Sequence, residues 1–167
     1  VVPVLMFAVF AGLLVLLPAL AADSDSSMLK LFDHFYRAGA LVFGGGHVVL
    51  PLLQAELVPA WVNQDAFLAG YGMAQAVPGP LFTLATYLGA VTLLPAWQGA
   101  LVATLAIFLP AFLLLFAALP LWLQLSRQAG MRRAIAGINA AVVGILLAAL
   151  YNPVFSSAVK HSYDMAG

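Results

Sequence analysis

Cysteine is absent from this sequence, which excludes disulfides and cysteine-ligated metal sites and leaves the redox compartment open. Charge is nearly absent as well: charged side chains make up 7% of the 167 residues, against roughly a quarter in soluble domains. Six basic and six acidic residues cancel to zero net charge, and no basic patch with interleaved aromatics occurs, so nucleic acid is not an expected partner. Enzyme motifs are missing too. His34, His47 and His161 lack metal-ligand spacing, and no G-x-S-x-G, H-E-x-x-H or phosphate-binding loop is found, so neither an enzyme, a metal nor a cofactor is expected. What is present is apolar: 65% of residues are hydrophobic and the mean hydropathy is +1.08. A chain with so little polar surface needs lipid as its main solvent.

The expected fold class is therefore all-α, a polytopic membrane protein. Val1 to Ala22 forms an apolar run of about 33 Å as a helix, enough to cross the hydrocarbon core and too long for a signal-peptide core. Because it opens without methionine, the chain reads as a fragment of a longer protein. After the acidic loop Asp23 to Ser27, with Ser26 or Ser27 as a helix cap, Met28 to Phe43 has two faces. Leu29, Phe32, Phe35, Tyr36 and Phe43 make the apolar side; Lys30, Asp33, His34 and Arg37 fall at i, i+3, i+4 and i+7. This polar stripe reads as the wet face of an interfacial helix, with Asp33 at salt-bridge spacing from both cations. The other reading is an anion-attracting vestibule.

Gly44, Gly45 and Gly46 interrupt that helix, at about 1 kcal/mol each relative to alanine. His47 to Leu57 resumes it, and Pro59 with Trp61 to Gln64 marks an interfacial turn. Asp65 to Val77 stops at Pro78-Gly79-Pro80, and Leu81 to Leu94 continues beyond. Each of these last two pieces reaches only about 20 Å, short of a bilayer. Trp97 to Leu125 and Ala134 to Tyr151 are long enough to span. Gly137, Ala140, Ala141, Gly144 and Ala148 give the last helix small-residue spacings suited to close packing. The tail from Val154 to Gly167 stays unassigned. Arg127, Arg132 and Arg133 fall in the loop between the spans Trp97 to Leu125 and Ala134 to Tyr151, which places that loop, Arg127 to Arg133, in the cytoplasm by the positive-inside rule.

Two mid-helix breaks carry the functional expectation. Backbone without hydrogen-bond partners cannot face lipid, so it lines a wet cavity or is buried in protein. Transporters use such breaks because the N-termini of half-helices present free N–H groups and partial positive charge to anions. The half-helices starting near His47 and near Leu81 are the candidates, in two broken or re-entrant hairpins, 28–57 and 65–94. The competing reading is a pair of kinks for packing. His47 is a donor or proton carrier, or a neutral histidine in a packed interface. Gln75, one turn before Pro78, is a donor into the break or a cap for freed backbone. Thr83 and Thr86 offer hydroxyls that more often bond back to the helix. Glu56 and Asp65 read as solvated interface charges, with proton coupling open to Glu56 if it lies at membrane depth.

Phe43-Gly44-Gly45-Gly46-His47-Val48-Val49-Leu50-Pro51-Leu52-Leu53, then Glu56, Trp61, Phe67, Ala74-Gln75-Ala76-Val77-Pro78-Gly79-Pro80 and Tyr87-Leu88-Gly89, closely resemble the chromate transporter family over Leu31 to Gly89. The combination is specific where any one piece would be weak. The resemblance implies a single chromate-transporter-type membrane domain over residues 1–167, similar to the C-terminal domain of a long two-domain member. It implies efflux of chromate across a bacterial inner membrane, conferring resistance, with sulfate as the similar oxyanion and a homologous second membrane domain as partner. Gly44, Gly45, Gly46, His47, Gln75, Pro78, Gly79 and Pro80 become the expected anion-binding positions, arranged as in transporters built from inverted repeats. An anion channel and a non-transporting scaffold subunit are the alternatives.

Overall fold

The computed structural model describes residues 2–42, 46–92 and 94–150, with the backbone alone at 46 and 47. All regular structure among them is helical: α1 (Val2–Ala22), α2 (Ser27–Leu41), α3 (Gly46–Leu57), α4 (Gln64–Ala76), a 3-10 turn (Leu81–Thr83), α5 (Leu84–Ala90), α6 (Ala96–Leu125) and α7 (Ala129–Ala149). α1, α6 and α7 are long and apolar enough to cross a membrane. The chain divides into two units, Val1–Leu119 and Pro120–Gly167, with the boundary inside α6.

Local chemistry sets the helix ends. The Ser26 hydroxyl accepts the Leu29 N–H at 3.4 Å and starts α2, as the sequence predicts. Asn63 does the same for α4 through Ala66 N–H at 2.7 Å. α4 stops because Val77 precedes a proline. The proline ring clashes with a helical residue before it, and Val77 is extended at φ −89°, ψ 125°.

Contacts within the first unit give the path of the chain. α2 runs back along α1: its tyrosine hydroxyl, Tyr36 Oη, donates to the carbonyl of Phe10 at 3.0 Å, near the middle of α1. α3 returns alongside α2, so that Glu56 meets His34. α5 lies antiparallel to the start of α6. Gly89 touches Gly99 backbone to backbone, the Thr86 and Thr104 hydroxyls meet at 2.7 Å, and the Phe82 and Phe108 rings lie 6.1 Å apart. Gly39 near the end of α2 packs on the carbonyl of Ile107, and α3 packs against the 3-10 turn.

Gly39, near the end of α2, and Phe82, in the 3-10 turn, thus pack at Ile107 and Phe108, about 17 Å along α6 from Ala96. Within this unit α2 and α3, and α4 and α5, are paired short helices packed beside α1 and the first half of α6. Leu31, Phe35, Tyr36, Leu53, Leu57, Leu84, Leu88, Ala103, Ala106 and Ile107 form the buried core that holds them together.

Three expectations are corrected. The limb after the second break does not run to Leu94 as one helix. It opens with a 3-10 turn and α5 closes at Ala90, where the Thr92 hydroxyl donates to the Gly89 carbonyl at 2.8 Å. Second, Arg132 and Arg133 are not in a loop. No helix breaker as strong as proline stands between Ala129 and Ala134, arginine is a good helix former, and both fall in the first turns of α7. Third, the polar stripe of α2 is wet only in part: Lys30, His34 and Arg37 are partly exposed, but Asp33 is 6% exposed, because it faces the end of α1 and the His34–Glu56 contact with α3. No residue of α7, in the second unit, is buried.

Candidate functional site

The first break falls between α2 and α3. Gly44 and Gly45 lie outside the described residues, as does the side chain of His47. Gly46 opens α3, so the free N–H groups of that half-helix belong to residues 46 to 49. At the second break, Val77, Pro78, Gly79 and Pro80 are all exposed, and a Cβ added at Gly79 would meet nothing within 4 Å. None of the described residues of this unit covers that stretch of irregular backbone. The Thr83 hydroxyl donates to the Pro80 carbonyl at 2.9 Å and satisfies one acceptor of the break, the bonding back expected of it. Gln75 is exposed and its amide donates to the Tyr71 hydroxyl at 2.8 Å, so it braces its own helix one turn back from the break.

Thr86 bonds across to α6 instead of back to its own helix. Thr104 donates to the Ala100 carbonyl at 2.6 Å, so Thr86 must be the donor in the Thr86–Thr104 pair. A groove of about 360 Å³ runs beside this pair and the second break, lined by Gly70, Met73, Val77, Thr83 and Tyr87 among others. Its side chains are apolar apart from the hydroxyls of Thr83, Thr86 and Tyr87. With α5 only seven residues long, the second half-helix adds little dipole, and the start of the twelve-residue α3 carries the larger one.

A second cluster stands nearer the end of α1. Pro18, Ala21 and Ala22 of α1 and Lys30, Asp33, His34 and Arg37 of α2 line a cavity of about 260 Å³. His34 Nδ1 and Glu56 Oε2 meet at 2.7 Å with both side chains partly exposed, and the His34 ring packs edge-on to Trp61. Asp33 Oδ1 is buried without a hydrogen-bond partner. α2 is not one of the membrane-spanning helices. There, burial pushes the Asp33 carboxyl above its ordinary value of 3.8, against Arg37 and His34, which lower it, and with Glu56, which raises it. Residue spacing alone suggests that Asp33 bridges to Lys30 or Arg37; it closes on neither. Among the described residues no group of three or more His, Asp or Glu is placed to hold a metal.

These features, two pairs of short helices separated at the glycine triplet and at Pro78-Gly79-Pro80 and packed against long apolar helices, agree with the sequence comparison. The family model for chromate transporters matches residues 29–166, from α2 through α7 and beyond. The chain belongs to the chromate transporter family. Among its relatives, the uncharacterized transporter YwrB of Bacillus subtilis is 40% identical over 116 residues, covering 66% of this chain and 58% of its own length. A probable chromate transport protein of Synechococcus elongatus is 28% identical over 140 residues, covering 83% of this chain and 35% of that protein. A chromate transport protein of Pseudomonas aeruginosa is 34% identical over 91 residues, 54% of this chain and 21% of that one. The chain thus spans about a third or less of the length of the two relatives named for chromate. No solved structure matches it. Like other family members it is a multi-pass membrane protein, and membership points to transport rather than catalysis.

Of the positions expected to bind the anion, Gly46 and the Pro78-Gly79-Pro80 turn each stand at a hairpin tip, and the 3-10 turn that follows Pro80 packs against α3. Gln75 is held by Tyr71. The sequence reading missed two groupings. Thr104 carried no signal, because a threonine in an apolar helix looks like any other. Pairing of His34 with Glu56 depends on the turn between α2 and α3, which residue spacing does not reveal.

Proposed function

We propose that this chain is one membrane domain of an oxyanion carrier that moves chromate out across a bacterial inner membrane, and that sulfate competes for the same path. The observation that supports this reading, in a member of the chromate transporter family, is that Gly39, shortly before the first break, and Phe82, shortly after the second, pack at Ile107 and Phe108, about 17 Å into a helix long enough to span a membrane. Backbone left open at that depth needs water or protein against it. The uncovered Pro78-Gly79-Pro80 turn fits a path completed by a second, homologous domain, and the share of the relatives' length that this chain occupies leaves room for one. Gly44, Gly45, Gly46 and His47 then face the anion through backbone N–H groups and an imidazole. Helix ends typically supply about 1 kcal/mol each, a modest counterweight to a dianion, so basic side chains must assist. The Arg127 to Arg133 segment is assigned to the cytoplasmic side by its charge.

The test is chromate uptake into inverted membrane vesicles that carry the full-length parent protein, with sulfate as competitor and the proton gradient collapsed in parallel. Uptake that requires the protein and is reduced by sulfate supports a carrier for tetrahedral dianions. Correctly inserted protein that moves no chromate under any condition sinks the reading.

A further inference from the structure

The cavity beside the end of α1 plays no part in the hairpin tips, yet it holds the most unusual group in the first unit. Asp33 is 94% buried by area (6% exposed) and its Oδ1 receives no hydrogen bond. Buried carboxylates are ordinarily satisfied, and an ionised one without a partner is costly. Two ordinary explanations fail. A solvated helix face would leave Asp33 exposed, and a structural salt bridge would close it onto Lys30 or Arg37. Both cations line the same cavity at the right spacing, but the close contact formed among the described residues is His34 with Glu56. The cavity is thus lined by two positive side chains and by Asp33, whose inner oxygen has no donor.

The groups facing Asp33 can be named from every side. α2 brings Lys30, His34 and Arg37, and α3 brings Glu56, held by His34. α1 contributes Pro18, Ala21 and Ala22, none of them titratable. Two cations exclude a metal ion as the occupant and favour an anion. An ionised Asp33 would repel that anion; a protonated Asp33 would donate to it, since a carboxylic acid is an O–H donor and a carboxylate only an acceptor.

We propose that this cavity is a proton-linked oxyanion subsite, in which Lys30 and Arg37 hold the dianion while protonated Asp33 donates its O–H to one of the anion's oxygens. The inference rests on the oxyanion-transport reading and adds to it a site apart from the hairpin tips. The balance is simple: one proton passes from water to Asp33 as the anion enters and returns to water as it leaves, and no bond other than that O–H is made or broken. Lying beside the last turns of α1, the subsite stands at the mouth of the hairpins, on the side where α1 ends. It couples anion entry to local pH before the anion reaches mid-membrane.

The experiment is chromate binding to the full-length parent protein in lipid nanodiscs, followed with a pH electrode in weak buffer. Mildly alkaline medium is used, where chromate itself carries no proton. The wild type is expected to take up about one proton per chromate bound, and its affinity to fall about tenfold per unit of rising pH. Asp33→Asn keeps a donor at this position, and should bind chromate with no proton uptake and a flat pH profile. Asp33→Glu should restore both. Arg37→Gln should weaken binding by about tenfold or more, the size of one lost contact to a charged group. Wild-type binding without proton uptake and without pH dependence overturns the subsite whether or not any variant folds, as does uptake that persists in Asp33→Asn. Failure of the wild type to bind chromate at all, at any pH, instead overturns the transport reading on which the subsite rests.

Discussion

His34 and Glu56 stand 22 residues apart in sequence and meet at 2.7 Å, joining the entering and returning limbs of the first hairpin just inside its mouth. Below them the limbs are held by apolar packing of Phe35, Val49 and Leu53. The pair therefore works as a latch between α2 and α3 at the one level where the hairpin is polar.

Partial exposure of both side chains, 26% and 30%, limits what this latch contributes. A double-mutant cycle with His34→Ala and Glu56→Ala should give a coupling energy of about 1 kcal/mol or less, measured by denaturant titration of the purified parent protein. Coupling near zero would mean that packing alone sets the hairpin.

Glycines at the backbone contacts should respond opposite to a free one. A Cβ at Gly39 would run into the carbonyl of Ile107, and a Cβ at Gly89 into that of Gly99. Gly39→Ala and Gly89→Ala should each destabilise by roughly 1–3 kcal/mol, because overpacking against a backbone outweighs the gain in helix propensity. Gly72→Ala on exposed α4, where nothing lies within 4 Å, should stabilise by up to about 1 kcal/mol. Thermal unfolding of the three variants side by side decides it, and a loss at Gly72 equal to that at Gly39 would refute the contact geometry.

Asp33 should make stability depend on pH. Its carboxyl is raised in the folded protein, by burial first, so folding favours the protonated form. The stability this adds is fully present below the ordinary value of 3.8 and is lost as pH rises through the folded-state value. Asp33→Asn, which cannot ionise, should match the wild type in acid and exceed it at neutral pH, by about 1.4 kcal/mol for each unit by which the group is raised. A constant difference between the two proteins across that range would show that Asp33 ionises as freely folded as unfolded.

Much of the fold was legible in residue order. α1 and α6 follow from apolar runs bounded by Asp23 and by Pro95-Ala96-Trp97 at their ends, the Ser26 cap from a serine before a helical pattern, and the end of α4 from Val77 before Pro78. Broken helices of half length were visible because glycine triplets and Pro-Gly-Pro cannot continue a helix and lipid tolerates no loose backbone. Even the family was carried by those same breaks.

Other features needed the third dimension. Local pattern could not say that Leu81 begins a 3-10 turn or that α5 stops at Ala90, because the close approach of Gly89 to Gly99 and the Thr92 hydroxyl decide that limb. Nor could it place Arg132 and Arg133 inside α7, since weak propensities fix a boundary only to within a few residues.

Sequence by itself determined that this protein lives in lipid, that its helices are interrupted twice, and that its polar residues gather on one stripe of α2. All three follow from composition and from spacing along a single helix, which are local properties. Tertiary structure alone decided that Gly39 and Phe82 meet the middle of α6 and that Asp33 is buried while Lys30 and Arg37 leave it unpaired. Depth and burial depend on which helix lies against which, and that is settled by contacts such as Gly39 on Ile107 between residues far apart in the chain.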